Sequence, residues 1–338
     1  MAPQIRHRLD YHRGSVNSAI FDASGSYIFT GGQDKTIRLV NSTTGDLIQT
    51  YLGHGWGVQG IAVSKDSNSL ASCGGTDRAV YLWDVSQAQL TRKLTGHSQH
   101  VDCVAISDNG SIIVGGSFDK TVRVWDTRSS NSPQALLQSL DESKDGISSL
   151  VLTQTEIIAS SIDGHVRTYD IRTGRVLIES FGGQPVVCVR IVGGGKCLLV
   201  SSMDGSIQLV DRADGKAMAA FSGHICQSYR IQCDANDSLV ASGSEDGLVY
   251  VWDVLRGDES GSAKYRLGGH SGIHRHVVHE TSLPKPYRIV HQEEDGDDAE
   301  DADDMSWVNR GHEEKAKRRI RLKLTVDDRN QIQEVECG

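Results

Sequence analysis

An all-β fold of small antiparallel sheets stacked side by side is what this 338-residue sequence predicts, and three observations predict it. First, one stretch occurs six times: GGQDKTIRLVN, GGTDRAVYLWD, GSFDKTVRVWD, SSIDGHVRTYD, SSMDGSIQLVD and SEDGLVYVWD. Its leading aspartates, Asp34, Asp77, Asp119, Asp163, Asp204 and Asp246, follow one another at intervals of 43, 42, 44, 41 and 42 residues, and self-similarity at a fixed period marks a repeat architecture. Second, in the last copy Leu248, Tyr250 and Trp252 share one face of a strand while Val249 and Val251 share the other. A strand apolar on both faces has to be covered on both. Third, 36 glycines against 5 prolines supply the positive-φ positions that many tight turns need. Units of about 42 residues with four short strands each have the size of β-propeller blades.

Taken in order, the chain opens on an outer strand, because QIRHRLDYHRGSV aligns with LIQTYLGHGWGV at 47–58. Six sets of inner strands follow as far as residue 270, each closed by an outer strand, which leaves one outer strand without a blade of its own. The expectation is a propeller over 1–270 that closes as seven blades, with six as the alternative. The seventh would be a degenerate blade within 271–338, completed by the N-terminal strand. There RIRLKLTVDDRNQIQEVE alternates, with Ile320, Leu322, Leu324 and Val326 on one strand face. The acidic run 293–304 reads as a disordered loop.

The formal charge of -9 is unevenly placed: EEDGDDAEDADD at 293–304 holds nine carboxylates, so the remainder is near neutral. A basic field of the kind that nucleic-acid binding needs is missing. The start, MAPQIRHRLD, carries charge where a secretory apolar core would lie, and no stretch approaches the length of a membrane-spanning helix. The seven cysteines show no C-x-x-C pair and read as buried reduced thiols, which places the chain in cytosol or nucleus.

Three pairs, Trp83-Asp84, Trp125-Asp126 and Trp252-Asp253, stand about 28 residues after Gly53-His54, Gly96-His97 and Gly223-His224. In these motifs the chain resembles the WD-repeat family of β-propellers over roughly residues 1–270. The resemblance implies a hydrogen-bonded tetrad of histidine, strand serine or threonine, turn aspartate and tryptophan. Carried onto this chain, His224, Ser242, Asp246 and Trp252 supply all four members. His54, Asp77 and Trp83 have Cys73 at the serine position, and His97, Asp119 and Trp125 have Gly115 there. A buried carboxylate needs such partners, because burial without hydrogen bonds is costly. Repeats that read Val40-Asn41, Tyr169-Asp170 and Val210-Asp211 lack the indole N–H, and their blades are expected to lean on packing.

Little enzymatic chemistry is legible. His270, His274, His276 and His279 are closely spaced, but strand geometry would split them between faces, and the bland reading outweighs zinc. No nucleophile elbow, P-loop or dinucleotide fingerprint is present. The expectation is a non-enzymatic chain without cofactor, metal or small-molecule substrate. The residues preceding the turn aspartates are more informative: Gln33, Thr76, Phe118, Ile162, Met203 and Glu245. In the WD-repeat family those turns line one rim, so Phe118, Ile162 and Met203 would offer three adjacent apolar tips for a protein partner. Packing of the same residues against neighbouring turns is the alternative. The basic segment 315–323 reads as a docking or import patch, or as a plain edge strand.

Within the family, SLDESKDGISSL at 139–150, SSIDGHVRTYDIRTG at 160–174, GHGWGV at 53–58 and LVDRADG at 209–215 are similar to the MAP-kinase organizer group of scaffolds. That likeness implies a protein-interaction platform for kinase-module proteins and for spliceosomal factors in pre-mRNA splicing, nuclear and cytoplasmic. The alternative is a WD-repeat subunit of another nuclear complex, snRNP or histone-modifying, that reads a partner peptide on its rim.

Overall fold

The computed structural model describes residues 7–129, 135–236, 238–254, 263–268 and 322–324. They form six four-stranded antiparallel sheets, each paired in chain order, and one two-stranded sheet. Each recurring stretch yields one sheet, here called blades 1 to 6: residues 16–52, 58–95, 101–140, 147–180, 186–221 and 233–267.

The hairpin between the second and third strands explains why the aspartate recurs. The residue after it is left-handed in every blade: Lys35, Arg78 and Lys120 at φ 65°, 49° and 71°, and Gly164, Gly205 and Gly247 at φ 83°, 78° and 78°. The aspartate secures this turn by accepting the amide two residues on, as Thr36 N–H donates to Asp34 (3.3 Å), Thr121 to Asp119 (3.0 Å) and Leu248 to Asp246 (3.0 Å). Blade 2 inserts one residue, so its hairpin becomes a 3-10 turn over Gly75–Asp77.

The blades hold each other through a wedge. A buried residue at or just beyond the end of each outer strand packs into the next blade: Leu9, Tyr51, Leu94, Leu140, Phe181 and Phe221. Tyr51 meets Trp83 edge-on at 6.1 Å between ring centroids, and Phe221 lies 6.1 Å from Trp252. Each such burial is worth about 1.5–3 kcal/mol, and it explains how Val40 and Val210 replace tryptophan in blades 1 and 5. The approach is close: a Cβ on Gly31 would lie 2.6 Å from Val58 Cγ1 in the next blade.

Arg230, ahead of blade 6, reaches Asp102 of blade 3 at 2.6 Å although 128 residues separate them. Stacked units in an open solenoid touch only their neighbours, so this contact requires the blades to curl around an axis.

Among the described residues the blade count is six, the alternative, rather than seven. The described part of the C-terminal segment adds one strand, Leu322–Leu324, which pairs antiparallel with His7–Leu9 in a sheet of two strands rather than four. Leu9 nonetheless wedges against Val16, Ile28 and Val40 of blade 1, and His7 Nε2 lies 2.6 Å from the Thr43 carbonyl. The acidic run 293–304 and the four clustered histidines lie outside the described residues, as does the basic segment apart from the backbone of Leu322 and Lys323.

Candidate interaction surface

Beneath the rim lies the brace that holds it. Blade 2 assembles a complete tetrad. His54 Nδ1 is 3.0 Å from Asp77 Oδ2, His54 Nε2 is 2.7 Å from Ser72 Oγ, and Trp83 Nε1 donates to the same hydroxyl at 2.8 Å. The carboxylate only accepts and the indole only donates, so one relay satisfies every group. Trp83 gives its proton to Ser72, Ser72 to His54 Nε2, and His54 Nδ1–H to Asp77.

The serine position is therefore Ser72, not Cys73. Counting four residues back from the aspartate finds Thr30 in blade 1, but the inserted turn residue of blade 2 shifts that count by one. A one-residue shift along a strand moves a side chain to the opposite face. Cys73 points instead into the core shared with Val80 and Val104.

Blade 6, expected to be complete, is not. Both ring nitrogens of buried His224 lack hydrogen-bond partners, Ser242 Oγ donates to the Gly243 carbonyl, and Trp252 Nε1 donates to the Ser222 carbonyl. Asp246 lies exposed and accepts from the Tyr250 hydroxyl at 2.7 Å. Burial depresses the His224 imidazole to about 4, against the opposing pull of Asp246 and Asp204.

Blade 3 lacks the hydroxyl as expected. His97 Nδ1 meets Asp119 Oδ2 at 2.9 Å, while His97 Nε2 and Trp125 Nε1 are unpaired. The Trp125 ring occupies the space over Gly115, where a Cβ would lie 3.0 Å from it.

Two braces escaped sequence reasoning. In blade 1, His12 sits between Asp34 (2.9 Å) and Thr30 (2.8 Å). Its position follows from aligning DYHRG with LGHGW, but the missing glycine hides it. In blade 4, Arg167 makes two bonds to Asp163 at 3.1 and 2.7 Å; Arg38 does similar work for Asp34 at 3.1 Å. Burial alone would raise these carboxyls. His12, with Thr36 and the Arg13 amide, instead holds Asp34 down to about 2, and Arg167 with the Lys144 amide does the same for Asp163.

Above this brace, Phe118, Ile162 and Met203 are each half-buried. Phe118 and Ile162 meet over Gly146, where a Cβ would lie 2.9 Å from one side chain and 3.4 Å from the other. Phe118 also stacks on His100 at 4.9 Å and 18°. Met203 packs with Val187, Cys226, Tyr229 and Ile231. Gln33 and Thr76 are exposed, and the Glu245 carboxylate accepts three backbone amides, those of Gln227, Ser228 and Tyr229. Trp56, which sequence reasoning passed over, is 40% exposed beside the blade 2 turn, with Lys35 Nζ 5.3 Å from its ring. Its signal was a tryptophan among glycines outside any strand pattern.

The innermost strands line the channel, and in five of them a β-bulge falls at the second residue: Asn17, Gln59, Asp102, Ser148 and Val187. Bulges re-aim side chains. Asn17 donates to the Val58 carbonyl and Ser148 to that of Val186, stitching each blade to the next. Among the described residues no group of three or more metal-ligating side chains converges.

Comparisons with known proteins agree with this geometry. The family described as "WD domain, G-beta repeat" matches residues 3–41, 45–84, 88–126 and 215–253, passing over blades 4 and 5, whose WD positions hold Tyr169 and Val210. The chain is 43% identical over 262 residues to WD repeat domain-containing protein 83 of Rattus norvegicus, covering 76% of this chain and 82% of that one. It is 42% identical to the Homo sapiens protein of that name (75% and 81%) and 30% identical to the Dictyostelium discoideum homolog (80% and 90%). A solved structure described as "Structure of U3-55K" superposes with a TM-score of 0.76 at 19% identity, covering 96% of this chain and all of that one, a likeness of fold alone.

Proposed function

The chain belongs to the WD-repeat family, and from that membership we propose that it is a non-enzymatic scaffold of the MAP-kinase organizer type. In this reading it gathers kinase-module proteins and serves among spliceosomal factors in pre-mRNA splicing, in both nucleus and cytoplasm. The observation that carries the scaffold role is the contrast between rim and brace. The buried turn aspartates are bound by histidine or arginine and are not free for chemistry, whereas Phe118 and Ile162 form a contiguous, half-exposed apolar patch on a rigid support. Relatives more than 40% identical along most of their length support a platform of the same shape. The kinase and splicing partners rest on the phrasing of residues 139–150, 160–174 and 209–215.

The test is affinity capture from cell extract with mass spectrometry, comparing the native chain with F118S/I162S/M203S. Splicing and kinase-pathway proteins should be recovered with the native chain and lost with the variant, captured at a temperature where circular dichroism shows the variant folded. Recovery of chromatin subunits alone, or full retention by the variant, would overturn the reading.

A further inference from the structure

One loop departs from the repeat. Ile61, Val104 and Cys233 hold equivalent ladder positions, pairing with Ser72, Gly115 and Ser242. Seven residues separate His54 from Ile61 and His97 from Val104, but nine separate His224 from Cys233. The longer loop forms a strap at one mouth of the channel. Glu245 fixes its middle, with a single carboxylate oxygen taking the N–H groups of Gln227, Ser228 and Tyr229 at 2.7, 2.6 and 3.0 Å. Its end crosses the axis, where Arg230 donates to Asp102 at 2.6 Å.

Asp102 is built to hold a cation. It sits on the bulge of the innermost strand of blade 3 with its side chain only 14% exposed. A carboxylate so placed demands a charged partner. His100 Nε2 lies 3.5 Å from its second oxygen, and the negative charge of Asp145, on the loop leading into blade 4, also acts on the guanidinium. The cation that fills the site arrives on an added strap rather than on a neighbouring strand.

We propose that Asp102 is a guanidinium site which the chain's own Arg230 fills until an arginine of a bound partner displaces it. Its placement rests on the docking reading above. Phe118 stacks on His100, and His100 contacts Asp102, so an extended segment lying over Phe118 and Ile162 brings an arginine to the channel mouth. The exchange leaves no carboxylate bare, because one guanidinium replaces another, and the strap keeps its three bonds to Glu245. Arginine is favoured over lysine, since its planar fork meets a carboxylate on two sides and stacks on aromatic rings, whereas an ammonium is a compact, strongly hydrated charge. Self-occupancy lowers the apparent affinity for the incoming arginine by the fraction of time the strap is seated.

The test compares the full chain with R230M, which keeps the aliphatic stem, and with R230M/D102N, using N-acetyl-arginine methylamide as the probe in calorimetric titration. R230M should bind the probe at least tenfold more tightly than the native chain does, the lysine analogue should bind more weakly, and D102N should abolish the gain. Equal binding by R230M and the native chain, or binding indifferent to D102N, overturns the proposal. Should R230M fail to fold, the native chain gives a second reading: saturating probe should shift the Arg230 side-chain N–H resonances as the guanidinium leaves Asp102, and unchanged resonances overturn the proposal. F118S/I162S in the R230M background separates the two readings, because it removes the partner surface while leaving capped arginine bound.

Discussion

Ser72 offers a sharp test of the brace, because a second serine provides the control. Ser72 and Ser201 are both completely buried in the second strand of their blades. Ser72 Oγ carries two bonds, to His54 Nε2 and from Trp83 Nε1; Ser201 Oγ has no partner. Ser72→Ala therefore leaves an imidazole nitrogen and an indole N–H unpaired in rings that are 7% and 1% exposed. At about 1–3 kcal/mol for each orphaned buried group, the expected loss is about 3 kcal/mol. For a domain of this size that is a fall of roughly 6–12 °C in melting temperature. Ser201→Ala removes a hydroxyl that bonds nothing, and should be neutral or slightly stabilising. Blade 3 shows that a blade without the hydroxyl still folds, since Trp125 and His97 stand unpaired there, so the variant should remain measurable. Urea unfolding followed by circular dichroism supplies both values, with an unchanged slope showing that only stability moved. Cys73→Ser completes the register check: it places a hydroxyl in the apolar core and should destabilise, whereas a tetrad centred on residue 73 would be strengthened. Equal losses for the two alanine variants, or a stabilising Cys73→Ser, would refute the assignment.

Three further outcomes are expected. The His224 imidazole is held down to about 4 by burial, so the unfolded chain takes up its proton first. Stability should fall as pH drops from about 6.5 towards about 4, by up to about 3 kcal/mol, and His224→Gln should flatten that slope in denaturant titrations. The contributions of Asp34 and Asp163, both held down to about 2, are complete above about pH 4 and lost only as pH falls through about 2, so the two windows separate. Arg167→Met strips the cation from a carboxylate that is 7% exposed; a loss of about 3 kcal/mol at neutral pH should shrink below pH 4 as Asp163 protonates. Lys120, exposed and left-handed at φ 71°, occupies the position that Gly164, Gly205 and Gly247 fill elsewhere, so Lys120→Gly should raise stability by up to about 1 kcal/mol, read as a higher urea midpoint.

The sequence by itself determined the sheet, the period and the turn. Strand alternation and turn chemistry are local, so Asp34 through Asp246 could be placed in their hairpins from spacing alone, and each occupies the turn expected. The missing hydroxyl of blade 3 was equally legible, because Gly115 has no side chain to offer. Register within a blade was harder to read. One inserted residue in GGTD moves the brace from Cys73 to Ser72, and a count along the chain cannot see which of two adjacent side chains faces inward. Blade 6 shows the converse, where all four letters are present and the longer loop after His224 is accompanied by an imidazole left without partners.

Only the tertiary structure decided what meets across the ring. Arg230 and Asp102 are 128 residues apart, and no periodicity links them; they touch because wedges such as Tyr51 and Phe221 set each blade at an angle to the last until blades 3 and 6 face one another. Stacking of blade 4 on blade 3 likewise brings Phe118 and Ile162 together over Gly146. Local chemistry repeats with the sequence, whereas contacts across an axis depend on the summed angles of every interface between them.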